Sequence, residues 1–380
     1  MDALAKLSLL GPAARFEPAE EVSCSSRSAP RGRADTLAES VHHAVMPGGK
    51  RIALLKTLLT SACERDCHYC AFRQGRDFRR ATFSPDELAR LFMQLHQSGV
   101  AQGIFISSAV AGGGPHTEDR LIAVAETLRQ RHEFRGYIHL KIMPGAERDQ
   151  IEAAMRLADR VSVNLEAPNT KRLSALAPHK TFNDELLKRL RWIEEIRRGR
   201  PGSWPSSTTQ FVVGASDESD VELLTTTEYL HREAGLARTY FMAFTPIPDT
   251  PLQSHAPTPP EREHRLYQAS FLLRDYGFTA EELPFDREGN LPLEIDPKLA
   301  WACRNLKESP VEINTASRRQ LLRVPGIGPK SADRITRARR LGKLSDLSDL
   351  SKLGIATNRT APFVLLNGWR APRQLSLWPE

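Results

Sequence analysis

The sequence predicts an α/β protein with a partial (β/α)6 TIM-like barrel, followed by a small C-terminal domain that is all α-helical. Six short apolar runs of strand type alternate with amphipathic helical stretches, a pattern typical of βαβ units and a parallel sheet. The runs are almost continuously apolar, as expected when helices cover both faces of a sheet. A closed eight-stranded barrel would need more strands than these, which favours a partial barrel.

The predicted elements follow one another in regular order. The six strands are expected at Ile52–Leu59, Gly103–Ser107, Tyr137–Met143, Arg160–Leu165, Thr208–Val213 and Arg238–Phe244. The helices between them are expected at residues 85–98, 117–132, 147–158, 183–198 and 219–234.

These elements divide the chain into four parts. Residues 1–36 are expected to form a flexible N-terminal lead-in, because residues 17–36 are rich in Ser, Pro, Ala and Arg. Residues 37–309 form the barrel domain, residues 310–372 the helical domain and residues 373–380 a tail. No apolar run is long enough to span a membrane, and the N-terminus lacks the features of a secretory signal. We therefore expect a cytoplasmic protein.

Three of the five cysteines lie close together in "TSACERDCHYCAFR", residues 60–73. Cys63, Cys67 and Cys70 have the spacing C-x3-C-x2-C and follow the first predicted strand. A zinc site would need a fourth ligand, for which His68 is a candidate, and a disulfide would use only two of the thiols. The spacing is also compatible with three buried structural cysteines or with an iron–sulfur cluster. Three thiolates on a four-iron cluster would leave one iron open to a small molecule, which would account for their number.

This motif, with the aromatic Tyr69 before its last cysteine, resembles that of the radical S-adenosylmethionine (SAM) superfamily. The resemblance implies a partial barrel around a [4Fe–4S] cluster whose open iron binds SAM. Reductive cleavage of SAM would give a 5′-deoxyadenosyl radical that abstracts a hydrogen atom from the substrate. An electron donor such as flavodoxin or ferredoxin would reduce the cluster.

The same resemblance implies that Tyr69 contributes to SAM binding and that further SAM-binding residues lie at the strand ends. Ser107 and Ser108 follow the second strand in "IFISSAVAGGG", without the acidic residue that many members carry there. Asn164 and Glu166 in "SVNLEAPN" resemble a ribose-binding N-x-D/E motif, and Gly214 in "FVVGAS" resembles an adenine-side motif.

Other polar residues near the cysteines have two interpretations each. His139 and Lys141 on the third strand either face the cavity or are satisfied polar groups of the core. The arginines after the cysteines either bind a phosphate or the substrate or belong to a solvated loop: Arg73, Arg76, Arg79 and Arg80. The remaining Cys24 and Cys303 are too few for the second cluster of sulfur-inserting members, and Cys303 is expected to be buried.

The positive charge of the chain is concentrated in one segment. Residues 310–345 contain nine Lys or Arg and two acidic residues, a surplus equal to the entire net charge of +7. Such a segment indicates a polyanionic partner, unless it is simply the solvated face of a helix.

The same segment holds two short predicted helices around "VPGIGPK". Asn314 and Thr315 are expected to cap the first helix, and the second is expected to begin near Ser331. Glycines between two helices let backbone N–H groups approach a phosphate closely. The pattern resembles a helix–hairpin–helix DNA-binding motif, which implies contacts from Gly326, Gly328, Lys330, Arg334 and Arg337. An ordinary αα-hairpin would also fit the pattern, and "LSDLSDLSKLGIATNR" resembles a degenerate second hairpin around Gly354.

The C-terminal "RQLSLWPE" resembles the short peptide by which bacterial proteins bind the replicative sliding clamp. The resemblance is carried by Gln374, Leu375, Leu377 and Trp378, with Trp in place of the usual Phe. A tail that packs on its own domain would have the same composition.

The combination of these motifs over residues 40–380 resembles a family of radical SAM proteins linked with uracil-DNA glycosylase and with DNA modification or repair. We therefore expect a radical SAM enzyme that modifies or repairs a nucleotide in DNA. Two further functions stay open: a radical SAM enzyme that modifies RNA, and a non-catalytic iron–sulfur protein that binds DNA.

Overall fold

The computed structural model describes residues 1–14, 40–45, 51–199 and 202–370. The chain forms two compact units, Met1–Glu218 with Tyr229–Pro259, and Ser219–Glu228 with Pro260–Glu380. None of the helices in these described ranges is long and apolar enough to cross a membrane.

The first unit contains one sheet and the helices that cover it. Its strands are β1 (Val41–Val45), β2 (Arg51–Leu58), β3 (Gly103–Ser107), β4 (Tyr137–Lys141), β5 (Arg160–Ser162), β6 (Ser206–Val213) and β7 (Arg238–Ala243). Its helices are α1 (Ala3–Ala13), α2 (Pro85–Gln97), α3 (Gly114–Glu126), α4 (Arg148–Leu157), α5 (Thr170–Leu176) and α6 (Lys188–Gly199). Helix α7 (Asp220–Glu233) has residues in both units.

The seven strands pair in chain order from β1 to β7. Strand β1 is antiparallel to β2, and every later neighbouring pair is parallel. The register places Leu58 opposite Ser107 and Val213 opposite Ala243, so the strands end at a common edge. The predicted fold class, a partial α/β barrel followed by a helical unit, is confirmed.

The six predicted strands are all present, whereas β1 was not predicted. Its sequence, "VHHAV", contains two histidines in place of a continuous apolar run. Strand β5 is shorter than predicted and ends at Ser162, although the backbone N–H of Val163 still donates to Thr208 at 3.1 Å.

Helix α1 corrects the prediction that residues 1–36 are a flexible lead-in. Asp2 caps the helix by accepting a hydrogen bond from the backbone N–H of Ala5 at 2.7 Å, and Leu7 and Leu10 are buried. Lys6 forms an ion pair with Glu87 of α2. The rest of the lead-in with Cys24, and the tail with Gln374, Leu375, Leu377 and Trp378, lie outside the described residues.

The second unit is built mainly from helices. They are α8 (Pro260–Asp275), α9 (Pro297–Asn305), α10 (Arg318–Arg323), α11 (Pro329–Leu341), α12 (Leu347–Lys352) and α13 (Thr357–Thr360). Two short strands, β8 (Val311–Glu312) and β9 (Val364–Leu365), pair in parallel. The prediction of an entirely helical C-terminal domain is therefore wrong in this detail.

The hydrophobic core of the second unit crosses the domain boundary predicted at residue 310. Ala302 and Leu306 belong to the same buried cluster as Leu321 of α10 and Ile335 of α11. Because the helices of residues 318–341 share a core with earlier residues, the compact unit includes the chain from Pro260 onward. Cys303 is exposed beside this core rather than buried as predicted.

In the first unit, Glu118 joins helix α3 to the loop after β4. Its side chain is fully buried, and Oε2 accepts a hydrogen bond from the backbone N–H of Met143 at 2.8 Å. The start of α3 packs closely against this loop and requires glycine at position 114, because a Cβ on Gly114 would lie 1.8 Å from the carbonyl oxygen of Pro144. Burial raises the pKa of Glu118 to about 8, although the Met143 N–H opposes the shift. The carboxyl group is therefore mainly protonated at neutral pH.

Replacing Glu118 with Gln is expected to remove a pH-dependent loss of stability. The folded state binds the carboxyl proton more tightly than the unfolded chain, whose pKa is near 4.5. The stabilisation from this group is complete below that pH and is lost as the pH rises through about 8, at about 1.4 kcal/mol per unit of pKa difference. Urea unfolding of wild type and Glu118→Gln at several values between pH 5 and pH 8 should show a difference that grows with pH in favour of Gln. A constant difference would contradict a protonated Glu118.

Candidate functional site

The three clustered cysteines lie on the loop between β2 and α2, at the C-terminal end of β2. All three line one cavity in the first unit. Cys67 is buried, and Cys63 and Cys70 are partly exposed. Five other polar lining residues lie at or beyond the ends of the parallel strands, and Gln210 lies within β6: Ser108, Lys141, Asn164, Glu166, Lys180 and Gln210.

Residues between the cysteines hold this loop against its neighbours. The carboxylate of Glu64 accepts hydrogen bonds from the backbone N–H groups of Gly112 at 2.9 Å and Gly113 at 3.1 Å. Arg65 forms an ion pair with Glu185 at 2.8 Å. The charged residues inside the motif therefore serve to anchor the loop.

His68, the candidate fourth ligand of a zinc site, is turned toward α5. Its Nδ1 lies 3.0 Å from the carbonyl oxygen of Ala175, and its backbone N–H donates to Leu176 at 2.9 Å. No three His, Cys, Asp or Glu side chains in the described part of the chain are grouped to hold a single metal ion. A four-iron cluster makes a different demand, because each of its thiolates binds a different iron.

Two of the sulfur atoms accept backbone hydrogen bonds. The N–H of Arg65 lies 3.4 Å from Sγ of Cys63, and the N–H of Phe72 lies 3.4 Å from Sγ of Cys70. Burial raises the pKa of Cys67 and of Cys70 above that of an ordinary thiol. A metal cluster would therefore displace protons from these thiols on binding, and the N–H donors would stabilise the resulting charge on sulfur.

Glu166 and Lys180 form a buried ion pair in the same cavity. Lys180 Nζ lies 3.1 Å from Glu166 Oε1, and the side chains of Lys180 and Glu166 are 9% and 7% exposed. Burial would raise the pKa of Glu166, but the positive charges of Lys180 and Lys141 outweigh it, so the pKa lies below its usual value. Oε2 has no partner within ordinary hydrogen-bond geometry among the described residues, although the hydroxyl of Tyr69 interacts with the same carboxylate and helps to lower its pKa.

The backbone of Glu166 is strained. Its φ of 65° is in the left-handed region, which is uncommon for a residue other than glycine. The conformation is held by two hydrogen bonds to β6: the Glu166 N–H donates to Gln210 at 2.9 Å, and the Val212 N–H donates to Glu166 at 2.8 Å. Strain of this kind is concentrated at ligand sites, where the surrounding structure maintains it.

Four of the six predicted SAM-binding residues line the cavity: Tyr69, Ser108, Asn164 and Glu166. Ser107 and Gly214 are not among its lining residues. Ser107 is buried at the end of β3. Gly214 instead packs against Thr258, where a Cβ would lie 2.0 Å from Oγ1, and its φ of 84° suits glycine.

The two polar residues of β4 have different environments. His139 is a core residue: its Nε2 lies 2.9 Å from Ser162 Oγ, and its ring stacks on Phe105 with centroids 4.0 Å apart. Lys141, two residues further along the strand, lines the cavity.

Several cavity residues were not predicted, among them Lys180, Gln210 and Met242. Lys180 follows α5 in a loop without a motif, and the other two lie within strands β6 and β7. Gln210 and Met242 could have been predicted from their positions, because both lie in the C-terminal parts of predicted parallel strands, where such folds bind ligands.

In the second unit, α10 and α11 form the predicted hairpin. Helix α10 begins after Ser317, which forms a capping box with Gln320, so the predicted caps Asn314 and Thr315 are wrong. Ser317 caps the helix because its Oγ accepts from the N–H of Gln320 at 3.3 Å while the Gln320 side chain accepts from the Ser317 N–H at 2.8 Å. Helix α11 begins at Pro329 rather than near residue 331, consistent with the preference of proline for the first turn.

The turn of this hairpin depends on glycine. Gly326 has a φ of 84°, and a Cβ there would lie 2.5 Å from Thr360 Oγ1. Gly328 is the N-cap of α11 and provides no side-chain cap, so the first N–H groups of the helix are not occupied by one. The short helices α12 and α13 flank Gly354, whose φ is 70°, in agreement with the predicted second hairpin.

Fewer cations of the hairpin segment are available to a partner than its sequence contains. Three cations are engaged inside the unit: Arg318 with Asp333, Arg323 with Glu282, and Arg339 with the carbonyl groups of Ile313 and Ala316. The predicted contacts Lys330, Arg334 and Arg337 are exposed on α11. Arg319, Arg340 and Lys343 are exposed nearby in sequence.

Two family models match the chain. One, described as the radical SAM superfamily, matches residues 57–230, which contain the three cysteines. The chain contains a radical SAM domain. The other model, described as a helix-hairpin-helix motif, matches residues 306–358. A radical SAM domain uses a [4Fe–4S] cluster and SAM as cofactors.

Several solved structures are similar to parts of the chain at low identity. Methylornithine synthase (PylB) is 13% identical with a TM-score of 0.47, over 60% of this chain and 63% of that one. The FeFe-hydrogenase maturase HydG from Carboxydothermus hydrogenoformans is 15% identical with a TM-score of 0.46, over 58% and 51% of the two chains. The radical SAM methyltransferase TsrM from Kitasatospora setae is 13% identical with a TM-score of 0.41, over 75% and 51%. The chain thus matches only 51% to 63% of the length of these structures. No curated protein matches it.

The cavity of the radical SAM domain fits both cofactors. Its three thiols lie on one loop, and two of them receive N–H donors. The unpartnered Oε2 of Glu166 can accept hydrogen bonds from the hydroxyl groups of a nucleoside.

Replacing Lys180 with Met is expected to destabilise the radical SAM domain, because Glu166 would keep a buried charge without its cation. Breaking a buried ion pair in this way typically costs about 3–5 kcal/mol. The double variant Lys180→Met/Glu166→Gln should recover most of the loss. Urea unfolding of the wild type, both single variants and the double variant measures the coupling, and additive effects would contradict the pairing.

Proposed function

We propose that this radical SAM enzyme acts on a nucleotide in DNA, either to modify or to repair it. The supporting observation is that one chain combines the cysteine-lined cavity with a glycine-turn hairpin that exposes Lys330, Arg334 and Arg337. These cations would neutralise phosphates and, with the N–H groups of Gly326 and Gly328, bind the DNA backbone without reading its sequence.

Within the cavity, Cys63, Cys67 and Cys70 would hold the cluster. When bound, the cluster and SAM supply a 5′-deoxyadenosyl radical that removes a hydrogen atom from the substrate. Glu166 would accept hydrogen bonds from the ribose hydroxyls through Oε2, and Asn164 and Ser108 would contribute further polar contacts to SAM.

The electrostatics of the cavity favour an anionic group of the cosubstrate. Lys141 and Lys180 both line it, and Lys180 neutralises Glu166. Together the two lysines would favour the carboxylate of SAM over a cationic group in this cavity. A nucleotide substrate has to leave the base stack to enter such a cavity, so a flipped, unpaired or damaged nucleotide is the expected target.

The decisive test is deuterium transfer from labelled DNA into 5′-deoxyadenosine, in an anaerobic reaction with a strong reductant. Transfer from DNA supports the proposal. Preference for tRNA in binding and in stimulation of SAM cleavage would instead support the RNA enzyme. Failure of the cluster-loaded protein to cleave SAM would support a non-catalytic iron–sulfur protein that binds DNA.

Binding of two protein partners, an electron donor and a sliding clamp, remains a prediction. A flavodoxin or ferredoxin would replace the chemical reductant in this assay. Binding to a sliding clamp would use Gln374, Leu375, Leu377 and Trp378, outside the described residues.

Replacing Lys330 with Gln is expected to weaken binding to duplex DNA of any sequence. Loss of one phosphate contact should reduce the slope of log affinity against log salt concentration by about 1. Lys307 is a matched control, because it is exposed in the same unit but precedes both hairpin helices. Fluorescence anisotropy of Lys330→Gln and Lys307→Gln at several salt concentrations provides the comparison. Equal slopes for the two variants would exclude Lys330 from the DNA interface.

A further inference from the structure

Arg80 binds four backbone carbonyl groups of the loop that carries the cysteines. Its Nη1 donates to Ser61 at 2.9 Å and to Phe72 at 3.1 Å. Its Nη2 donates to Arg73 at 3.0 Å and to Arg76 at 3.2 Å. Four of the five N–H donors of this guanidinium are thereby used.

The acceptors of Arg80 lie on both sides of the cysteine motif. Ser61 precedes Cys63 by two residues, and Phe72 follows Cys70 by two residues. One planar group therefore joins the two ends of the segment that would hold the cluster. A lysine cannot reproduce this arrangement, because its ammonium group lacks the planar fork.

Other contacts close the loop at its base. The Ser61 N–H donates to the carbonyl of Ala81 at 3.0 Å, and the Ala81 N–H donates to Ser61 Oγ at 3.0 Å. The hydroxyls of Thr60 and Thr82 lie 2.6 Å apart. The two ends of the loop are therefore held together at its base as well as through Arg80.

The position of the Arg80 guanidinium is itself fixed by an aromatic ring. Its Cζ lies 4.3 Å from the ring centroid of Phe78, a stacking contact that favours arginine. The contact holds the plane of the fork in place. The arginine is therefore pre-organised, and few rotamers are lost when its hydrogen bonds form.

These contacts decide between the two interpretations of the arginines after the cysteines. Arg80 has only Nε left for a phosphate or a substrate, and Arg76 donates to the carbonyls of Pro248 at 2.9 Å and Ala71 at 3.0 Å. Arg73 donates to the carbonyl of Asp66 at 3.2 Å. Arg79 is exposed. Three of the four are therefore structural parts of the loop.

We propose that Arg80 is a positioning residue for the iron–sulfur cluster, which keeps the cysteine loop closed before and after the cluster binds. The proposal depends on the cluster of the radical SAM domain and not on the DNA substrate. Without Arg80, four carbonyl groups would lose a partner and the loop ends could separate. Each thiol would then have to be ordered as the cluster assembles, and a bound cluster would be released more readily.

The test compares Arg80→Lys and Arg80→Gln with Arg79→Lys and Arg79→Gln. After anaerobic reconstitution, iron and sulfide per chain, the absorption of the cluster and the rate of its removal by a chelator are measured. We expect wild-type behaviour from both Arg79 variants. Both Arg80 variants should lose the cluster about tenfold faster or more, and Lys should not rescue the effect. Retention of the cluster by Arg80→Lys at the wild-type rate would overturn the proposal.

Hydrogen exchange of the cluster-free proteins gives a second readout that is independent of iron. Arg80→Lys should exchange faster in the peptide covering residues 61–82 and unchanged in the peptides of α3 and β4. Faster exchange throughout the barrel would mean that Arg80 serves the whole fold, which would also overturn the proposal. Failure of the wild type itself to assemble a cluster would instead contradict the radical chemistry, so the two failures are distinguishable.

Discussion

The carboxyl ends of the parallel strands meet at one edge of the sheet, and the whole cavity depends on that constraint. The cysteine loop follows β2, Lys141 ends β4, and Met242 lies one residue before the end of β7. Neighbouring parallel strands hold a fixed register, so residues far apart in sequence converge once the sheet forms. The ligand site therefore needs no separate domain. The site requires only polar residues at the ends of the strands, where the apolar core ends.

The second constraint is electrostatic, because charged side chains at this edge of the sheet are buried. Burial would lower the pKa of Lys180, but the negative charge of Cys67, when its thiol is ionised, and that of Glu166 outweigh burial and raise the pKa above its usual value. The same lysine thus stabilises both a carboxylate and any thiolate formed at Cys67. Lys141 adds a second positive charge to the lining. A cavity arranged in this way can accept the negative charge of a thiolate-bound cluster at a lower desolvation cost than an apolar one.

The sequence predicted those parts of the fold that repeat a local pattern. The apolar runs located six strands because both faces of the sheet are covered, whereas β1 and α1 at the edge follow no such pattern and were missed. In the site, residues inside short motifs were predicted: Cys63, Cys67, Cys70, Asn164 and Glu166. Lys180 was not predictable in this way, because it reaches Glu166 only through the path of a loop. Ser107 carries the expected residue type and is buried at the end of β3, but it is not among the residues that line the cavity.

The basic segment shows why charge is harder to interpret than apolar pattern. Arg323 contributes to the surplus of residues 310–345, yet it is buried, paired with Glu282 at 2.8 Å and stacked 3.6 Å from the ring centroid of Phe278. Glu282 lies outside residues 310–345. The charge count of that segment therefore included Arg323 but not the carboxylate that pairs with it. A local sum of charges is therefore an upper limit on the cations that a polyanion can reach. What supports a phosphate-binding role is the remaining set on α11, together with a glycine turn that leaves the first N–H groups of that helix without a side-chain cap.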